Sequence, residues 1–518
     1  MRKLFYVLAL LQVIGVSVSS CSAKIKSDQP NIIVILVDDM GYSDLGCTGS
    51  EIETPNLDAM AKNGVLFTNC YNTSRCCPSR ASLLTGQYQW DAGIGHMDYT
   101  RSNEPEYQGY LNKECATIAE LLKLEGYQTF MSGKWHVGHK KREMWPDYRG
   151  FDQFYGTPSG GGIYFYPSKF YDRPVYHNGV KEEPDSSWYS TDAFTDYSID
   201  YIKNRRNKEQ PFFMYMAYIA PHFPLQAKKK DIKKYKDTYK KGYDFIRQAR
   251  FEKQKRLQIV DPNTSASEPV YTNWENVEDK ENEALKMSVY AAMVDCLDQN
   301  VGKLMQSLKE EGIDDNTVIL FLSDNGGCPS DFNKTPDTEI GNRNSNATYG
   351  IWYNVSNTPY RMGKRKEHEG GIITPLIVHW PNGISKTGLN KEPLHITDIM
   401  PTCLQLAGGE YPKAYKGVQL DPLDGKSLLP LLHGKKQDLN RVYYWEHEGN
   451  RAVRKGNWKL VALKKKPWEL YNLADDPYEQ KNLAINNPKK YDELRALYKK
   501  WANAHGVKPW PLKKKKKK

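Results

Sequence analysis

The chain has 518 residues, of which 39% are hydrophobic and 12% aromatic, and its formal net charge is +11. This composition excludes an intrinsically disordered protein, and the length favours two packed units. The nine cysteines are scattered through a large chain, which excludes a small disulfide scaffold, and their spacing determines no pairing.

Much of the positive charge lies in residues 228–256 and in the six lysines of 513–518. We interpret both as solvated surface, although a basic surface can also concentrate an anionic polymer. No zinc-finger spacing or RNA-binding signature accompanies them, so nucleic acid is not an expected partner.

The first 21 residues have a basic start, a short apolar run and a small-residue end, which is typical of a signal peptide. Val18-Ser19-Ser20-Cys21 also resembles a bacterial lipobox, which predicts cleavage and acylation of Cys21. The alternative is a plain signal peptide with a cysteine near the cut by chance. We therefore expect an exported protein of a bacterial periplasm or cell surface, tethered to the membrane through Cys21.

Short apolar runs alternate with helical stretches from about residue 30. The run NIIVILVDD (31–39) predicts a buried parallel strand that ends in acids. Residues 54–71 and 117–138 each predict a helix closed by a glycine and followed by a strand. Further strands are predicted within three segments, 210–224, 316–327 and 375–381. The alternation predicts an α/β fold with a large, mostly parallel sheet flanked by helices.

Two segments interrupt this alternation of strands and helices, and the sequence pattern changes near the C-terminus. Residues 228–285 predict a partly helical surface excursion, and 330–358 form a polar loop long enough to suggest a role at a site. After residue 385, alternating runs with Gly-Asn turns predict an antiparallel meander followed by a helix. We therefore divide the mature chain into a catalytic domain (30–385), a smaller C-terminal sheet-and-helix subdomain (386–512) and a basic tail (513–518).

Acidic and amide side chains follow two of the predicted strands. Asp38 and Asp39 end one strand, and Asp324 and Asn325 end another. Ligands bind beyond the carboxyl ends of parallel strands, so these four side chains should lie close together. Oxygen ligands of this kind suit calcium or magnesium.

Basic side chains converge on the same edge of the sheet. Lys134, His136 and His222 each come just after a predicted strand, and Lys364 lies in a glycine-containing loop. A divalent cation, fixed positive charges and imidazoles suit a tetrahedral oxyanion ester, because they neutralise its oxygens and protonate its leaving group. This chemistry leaves phosphate and sulfate esters open.

Cys76 and Cys77 precede Pro78, which suits the first turn of a helix. A helix N-terminus favours negative charge and can activate a thiolate. A thiolate is nevertheless a poor nucleophile for a sulfate ester, so thiol chemistry alone gives the pair no role beyond a structural or incidental one.

The segment CCPSR, followed by LTG at residues 84–86, matches the C-x-P-S-R…LTG signature of the formylglycine-dependent, arylsulfatase-like sulfatases of the alkaline-phosphatase superfamily. Eight further blocks resemble that family in its order: NIIVILVDDMGYSDLGC, TPNLDAMAKNGVLFTNCY, GKWHVG, GFDQFYG, APHFP, SDNGG, EGGIITPLIVHWP and ELYNLADDPYEQKNLA. The resemblance spans nearly the whole mature chain and implies an alkaline-phosphatase-like fold.

The resemblance also implies a mechanism. A maturation enzyme would oxidise Cys76 to formylglycine, which hydrates to a geminal diol. One hydroxyl would attack sulfur and the alcohol would leave. Deprotonation of the second hydroxyl would then expel sulfate and restore the aldehyde. Cys77 would be a spectator. The implied calcium ligands are Asp38, Asp39, Asp324, Asn325 and residue 76. The implied catalytic residues are Arg80 (holding the hydrate), Lys134 and Lys364 (sulfate oxygens), His136 (the hydrate hydroxyl) and His222 (the leaving-group acid).

The residues that contact the substrate are harder to predict from the sequence. His96, Asp98 and Arg101 follow the nucleophile helix, and His447 lies in a block that resembles many bacterial carbohydrate sulfatases. His368 stands where the family often has an aromatic residue, and we predict it as a further substrate contact. An equally good interpretation of each is a polar residue in a surface turn that does not contact the substrate. Trp352 and Tyr353 are candidates for stacking on a sugar or for packing.

These features predict an exported sulfatase that hydrolyses O-sulfate esters of carbohydrates. Two alternatives remain: a phosphatase or phosphodiesterase of the same fold, which would normally use a serine or threonine nucleophile, and a non-catalytic binder of sulfated glycans in which Cys76 is never matured. A sulfatase for small aryl esters would differ only in the shape of its pocket.

Overall fold

The computed structural model describes residues 29–100, 102–168, 173–271, 273–436 and 441–512. The predicted signal peptide with Cys21, the candidate Arg101 and the lysine tail lie outside these residues. Within the described ranges, no helix combines the length and apolarity that a membrane span requires.

A large sheet contains eleven strands. They are β1 (Asn31–Val37), β2 (Val65–Tyr71), β3 (Gln128–Lys134), β4 (Gln153–Thr157), β5 (Val175–His177), β6 (Val180–Glu182), β7 (Phe212–Ala217), β8 (Thr317–Ser323), β9 (Ile373–His379), β10 (Gly388–Asn390) and β11 (Leu394–His395). The central order β4-β3-β7-β1-β8 is parallel throughout, whereas β9 runs antiparallel between β8 and β2. The predicted mostly parallel α/β sheet is confirmed.

In the described part of the chain, twelve α-helices accompany the strands. They are α1 (Pro55–Lys62), α2 (Cys76–Thr85), α3 (Ile118–Leu124), α4 (Ser190–Lys203), α5 (Lys229–Tyr235), α6 (Gly242–Arg256), α7 (Lys280–Glu310), α8 (Tyr353–Ser356), α9 (Glu369–Ile372), α10 (Ile399–Leu406), α11 (Leu429–Leu432) and α12 (Pro488–Ala504).

Alternation along β1 explains the layers. Ile33 and Ile35 pack with α1, α4 and α7 in one apolar cluster, whereas Val34 and Leu36 pack with α2, α3 and α10 in another. Successive side chains of a strand point to opposite faces, and both faces of this sheet are covered. Because β1 is buried on both faces, its sequence is a continuous run of β-branched and other apolar residues.

A second, four-stranded antiparallel sheet follows: β14 (Val442–His447), β15 (Asn450–Lys455), β16 (Trp458–Ala462) and β17 (Glu469–Asn472). The short strands β12 (Ala414–Tyr415) and β13 (Val418–Gln419) pair separately, and α12 packs on β15 and β16. The predicted meander and helix are confirmed. Both β10 and β11, which follow residue 385, still pair with β2, so the predicted boundary at 385/386 does not coincide with the end of the large sheet.

The charged segment 228–285 is more deeply embedded than its composition suggests. Helix α5 packs on α7, and the side chains of Tyr239, Tyr243 and Arg250 are buried. Many of its lysines face solvent, as expected. The interpretation of the whole segment as a surface excursion is wrong, because its tyrosines supply an apolar face that a count of charges conceals.

Candidate active site

The register of the sheet brings the two acidic pairs together. Strands β1 and β8 are parallel neighbours, with Val37 opposite Ser323, so the residues that follow them emerge side by side. The amide nitrogen of Asn325 donates a hydrogen bond of 2.7 Å to Asp39 Oδ1, and the backbone N–H of Asp39 lies 3.4 Å from Asp324 Oδ1. All four predicted side chains are buried.

Three cations neutralise this cluster. Lys134, at the end of β3, pairs with Asp38, and Lys364 pairs with Asp39. Arg80, on α2, donates to Asp324 Oδ2 at 2.9 and 3.2 Å and to the backbone carbonyl of Lys134 at 2.9 Å. A buried carboxylate is stable only when it is paired in this way.

The acids respond differently to burial. Burial opposes ionisation of Asp38, but Lys134 and its other cationic neighbours hold the pKa of this carboxyl well below its usual range. Burial and the adjacent negative charge of Asp38 together raise the pKa of Asp324 well above its usual range. The same cluster therefore contains one carboxyl group that ionises readily, Asp38, and one that resists ionisation, Asp324.

Three oxygens of the cluster lack a hydrogen-bond partner. They are Asp38 Oδ1, Asp39 Oδ2 and Asn325 Oδ1, all buried, and no group among the described residues donates to them. An unsatisfied buried acceptor carries a desolvation penalty of about 1–3 kcal/mol. Carboxylate and amide oxygens are the ligands that calcium prefers, so these residues fit the predicted cation.

Cys76 is the first residue of α2, and its side chain is buried. Burial raises the pKa of its thiol, but the charges of Lys134, Lys364 and His136 outweigh this effect and hold the pKa well below its usual value. The adjacent Cys77 has a pKa well above its usual value, because burial dominates there. The two neighbouring thiols are therefore chemically distinct.

Each predicted catalytic histidine is oriented by a neighbour. His136 Nε2 lies 3.4 Å from Asp98, whose second oxygen lies 2.6 Å from His139 Nδ1. Burial lowers the pKa of His136, but Asp98 more than compensates, so this pKa is raised. His222 Nδ1 donates to the carbonyl of Phe223 at 2.5 Å, which directs Nε2 towards Asp39 Oδ2, 3.5 Å away.

A cavity of about 420 Å³ opens beside Cys76. Its wall includes Lys134, His136, His222 and Lys364, so five of the six predicted catalytic residues face one space, and Arg80 lies beneath them. Cavities of about 490 and 690 Å³ occur elsewhere, but the described residues that line them include none of the predicted catalytic set. The chemistry therefore identifies the smaller cavity as the site.

Comparison with known proteins supplies the family. The sulfatase family model matches residues 30–409, and a model described as N-sulphoglucosamine sulphohydrolase, C-terminal, matches residues 361–505. The chain belongs to the sulfatase family. It is a sulfuric ester hydrolase with an alkaline-phosphatase-like fold, and both predictions are confirmed.

This sulfatase has relatives in several organisms. It is 36% identical to an uncharacterized sulfatase of Schizosaccharomyces pombe, over 84% of this chain and 86% of the relative. It is 34% identical to an arylsulfatase of Klebsiella aerogenes, over 78% and 92%. The crystal structure of Ps i-CgsB in complex with k-i-k-neocarrahexaose superposes with a TM-score of 0.69 at 29% identity, covering 92% of this chain and 93% of that chain.

The predicted substrate contacts of the sulfatase are less well placed. Among the described residues, Asp98 is the one member of that set in the cavity wall. His96 and His447 stack on each other with centroids 5.0 Å apart, and His368 Nε2 lies 3.0 Å from Glu469 Oε2. These three histidines are buried in contacts with the C-terminal sheet, which a local motif cannot reveal.

Of the two roles left open for Trp352, stacking on a sugar or packing, the structure shows packing. Trp352 is fully buried against Tyr239, Tyr243 and Trp274, and its indole N–H donates to the carbonyl of Glu283 at 2.8 Å. The loop before it does reach the site, because the cavity wall of the sulfatase includes Cys328 and Ser330.

Several residues of the cavity wall lie outside the predicted set: Arg75, Tyr99, His139, Ser159, Arg173, Phe223 and Arg365. Arg75 and Arg365 directly precede and follow two predicted catalytic residues, Cys76 and Lys364. That adjacency in the chain was the one available signal.

Proposed function

We propose that this sulfatase hydrolyses O-sulfate esters of carbohydrates, with formylglycine formed from Cys76 by a maturation enzyme and with one bound calcium ion. The observation that carries the proposal is the position of Cys76, buried at the start of α2 and surrounded by Lys134, Lys364 and His136. The three unpartnered oxygens of Asp38, Asp39 and Asn325 support the calcium ion, with Asp324 as the remaining protein ligand.

When present, the hydrated aldehyde supplies the hydroxyl that attacks sulfur, and calcium neutralises developing negative charge. The chain's own side chains bind and orient the ester. Lys134 and Lys364 bind the non-bridging sulfate oxygens, and Arg80 holds residue 76 in place from below. His136 would accept a proton from the hydroxyl that formylglycine would supply at residue 76, and His222 Nε2 would protonate the leaving oxygen.

A carbohydrate substrate is supported by a relative. Ps i-CgsB, 29% identical to this chain, has been crystallised with k-i-k-neocarrahexaose. The cavity of about 420 Å³, with its basic and hydroxyl side chains, offers the polar lining that a sulfated sugar requires.

Mass spectrometry of the peptide around residue 76, taken from protein made in its own host, tests the modification. We expect the mass of formylglycine, and we expect Cys76→Ala to lower the hydrolysis of an aryl sulfate by at least about 10³-fold. Cys77→Ala is the matched control and should retain most of the activity. An unmodified thiol, or full activity of Cys76→Ala, would reject the proposal.

Two further assays separate the alternatives. Aryl sulfate should be hydrolysed well ahead of aryl phosphate, and the reverse preference would favour a phosphatase. Removal of calcium with a chelator should lower both activity and the melting temperature, because three buried oxygens lose their partner. Recovery with calcium but not with magnesium would identify the ion.

We further propose export and tethering through Cys21, supported by the basic, apolar and small-residue pattern of residues 1–21. Labelled fatty acid should be incorporated into the wild-type chain in a bacterial host and not into Cys21→Ser. Equal labelling of the two chains would reject the tether.

A further inference from the structure

The outer wall of the catalytic cavity carries arginines that the proposed chemistry does not use. Arg75 precedes Cys76, and Arg365 follows Lys364; both line the cavity and are partly exposed. The backbone N–H of Arg365 donates to the carbonyl of Ser74 at 2.8 Å, so the two segments lie side by side. Two arginines from neighbouring segments therefore line the same cavity.

Neither arginine is neutralised by a carboxylate. Among the described residues, no acid lies within ion-pair distance of Arg75 or Arg365, and Arg75 Nε donates to the weak acceptor Met97 Sδ at 3.3 Å. Glu448 acts on Arg75 electrostatically, but its carboxylate is bound to His96 Nε2 at 3.2 Å.

Asp98, the acid in the cavity wall, pairs with neither arginine because it contacts two histidines. Both oxygens of Asp98 face histidines, His136 at 3.4 Å and His139 at 2.6 Å. Arginine is the side chain best suited to bind a planar or tetrahedral anion through paired N–H donors. Two such groups without an anion, inside a site for an anionic ester, indicate a second anion in the ligand.

We propose that Arg75 and Arg365 bind a second anionic group of the substrate, so that the enzyme acts on sugars that carry at least two negative charges. The reacting sulfate lies against Lys134 and Lys364, and the second anion, a sulfate or a carboxylate, lies on the same or the adjoining sugar. Arg75 adjoins residue 76 and Arg365 adjoins Lys364 in the chain, and both line the cavity that holds the reacting sulfate. This inference rests on the proposed function.

Kinetics with matched sugars test the inference. The substrates are a sugar with two sulfates, a sugar with one sulfate and one carboxylate, the same sugar with a single sulfate, and 4-nitrophenyl sulfate. For the wild-type enzyme, kcat/KM should be higher for a dianionic sugar than for the monosulfated one. Comparison of the two dianionic sugars identifies the preferred anion.

Arg75→Gln and Arg365→Gln should each lower the ratio of kcat/KM for dianionic to monosulfated sugar by about 10- to 100-fold. Arg365→Lys should restore part of the ratio, because it keeps the charge but not the paired donors. Arg495→Gln, an exposed position on α12, is the control and should leave the ratio unchanged.

Two results would overturn the inference: no preference of the wild-type enzyme for dianionic sugars, or an equal loss on all substrates in the arginine variants, which would indicate a general electrostatic role. Calorimetric binding of the same sugars to the Cys76→Ala chain separates this failure from failure of the proposed function. Selective binding to the Cys76→Ala chain, combined with no sulfate release by the wild-type enzyme, would reject the chemistry and retain the anion site. Sulfate release by the wild-type enzyme without selective binding would reject the anion site and retain the chemistry.

Discussion

Asp98 lies between two histidines and has no cationic partner other than them among the described ion pairs. Its carboxylate fixes which ring nitrogen of His136 carries a proton, because the orientation of an imidazole is set by the hydrogen bond that its N–H makes. We therefore expect Asp98 to act as a positioning residue for His136, a role distinct from the predicted substrate contact.

Asp98→Asn should lower kcat for an aryl sulfate by about 10- to 100-fold, part of the ~10²–10⁴ that a well-placed acid or base supplies. KM and the melting temperature should change little. The exposed Glu143→Gln serves as a control and should behave as the wild type. A raised KM with unchanged kcat would instead favour the predicted substrate contact.

Glu446 is a buried carboxyl on β14, and burial raises its pKa to about 8. The native state therefore binds this proton more tightly than the unfolded chain, where the ordinary value of 4.5 applies. The stability that Glu446 contributes is complete below about pH 4.5 and is lost as the pH rises through 8.

Glu446→Gln should remove this loss of stability at high pH. Between pH 5 and pH 8 the melting temperature of the wild type should fall by a few degrees relative to that of the variant. Each kcal/mol of lost unfolding free energy lowers the melting temperature by on the order of 2–4 °C. Thermal unfolding across that range measures the difference. Glu493→Gln, at a partly exposed position, should not flatten the profile. Parallel profiles of wild type and Glu446→Gln would contradict the role assigned to Glu446.

At the scale of elements, one buried arginine attaches the inserted helices to the catalytic layer. Arg250 on α6 binds Asp44 at 2.7 Å and Glu51 at 2.8 Å, and its side chain is fully buried. Asp44 also accepts a hydrogen bond of 2.7 Å from Tyr290 on α7. The loop that follows Asp38 and Asp39 is therefore held from two helices.

Arg250→Met should destabilise the fold by about 3–5 kcal/mol, because it leaves Asp44 buried without a counter-charge. Denaturant unfolding measures the change, and limited proteolysis should cut the 228–280 segment sooner. Arg256→Met, at an exposed position of the same helix, should change stability by less than about 0.5 kcal/mol. Equal stability of the two variants would show that Arg250 is dispensable.

At the scale of the whole molecule, a buried ion network joins the two sheets. Lys459 on β16 lies 2.6 Å from Glu369 on α9 and 2.9 Å from Glu479. Tyr71, at the end of β2, donates to Glu369 at 2.6 Å. Trp445 on β14 donates to the carbonyl of Asn72 at 2.8 Å, close to the start of α2. The C-terminal sheet thus supports the loops that carry residues 76 and 364.

Lys459→Met should lower stability by about 3–5 kcal/mol and should lower kcat as well, since two acids at the base of the Lys364 loop lose their cation. Thermal unfolding and aryl sulfate kinetics measure the two effects. Lys455→Met removes a partly exposed ion pair with Glu493 and should cost less than about 1 kcal/mol. If Lys459→Met lowered stability but left kcat unchanged, the C-terminal sheet would not support the catalytic loops.

The sequence by itself determined the local elements and predicted the residues that meet at the candidate site. The β-branched run of β1, the glycine-closed helices before β2 and β3 and the Gly-Asn turns of β14–β16 are short-range patterns, and the structure has each of them. The block around Cys76 identified the family because its chemistry requires residues adjacent in the chain.

Only the tertiary structure decided which side chains share the cavity and which are buried behind it. His96, His368 and His447 lie in polar segments typical of a surface, yet packing of the C-terminal sheet buries them, whereas Arg75 and Arg365 reach the cavity wall. The physical reason is that burial depends on contacts between segments hundreds of residues apart, which the local period of hydrophobic and polar residues does not encode.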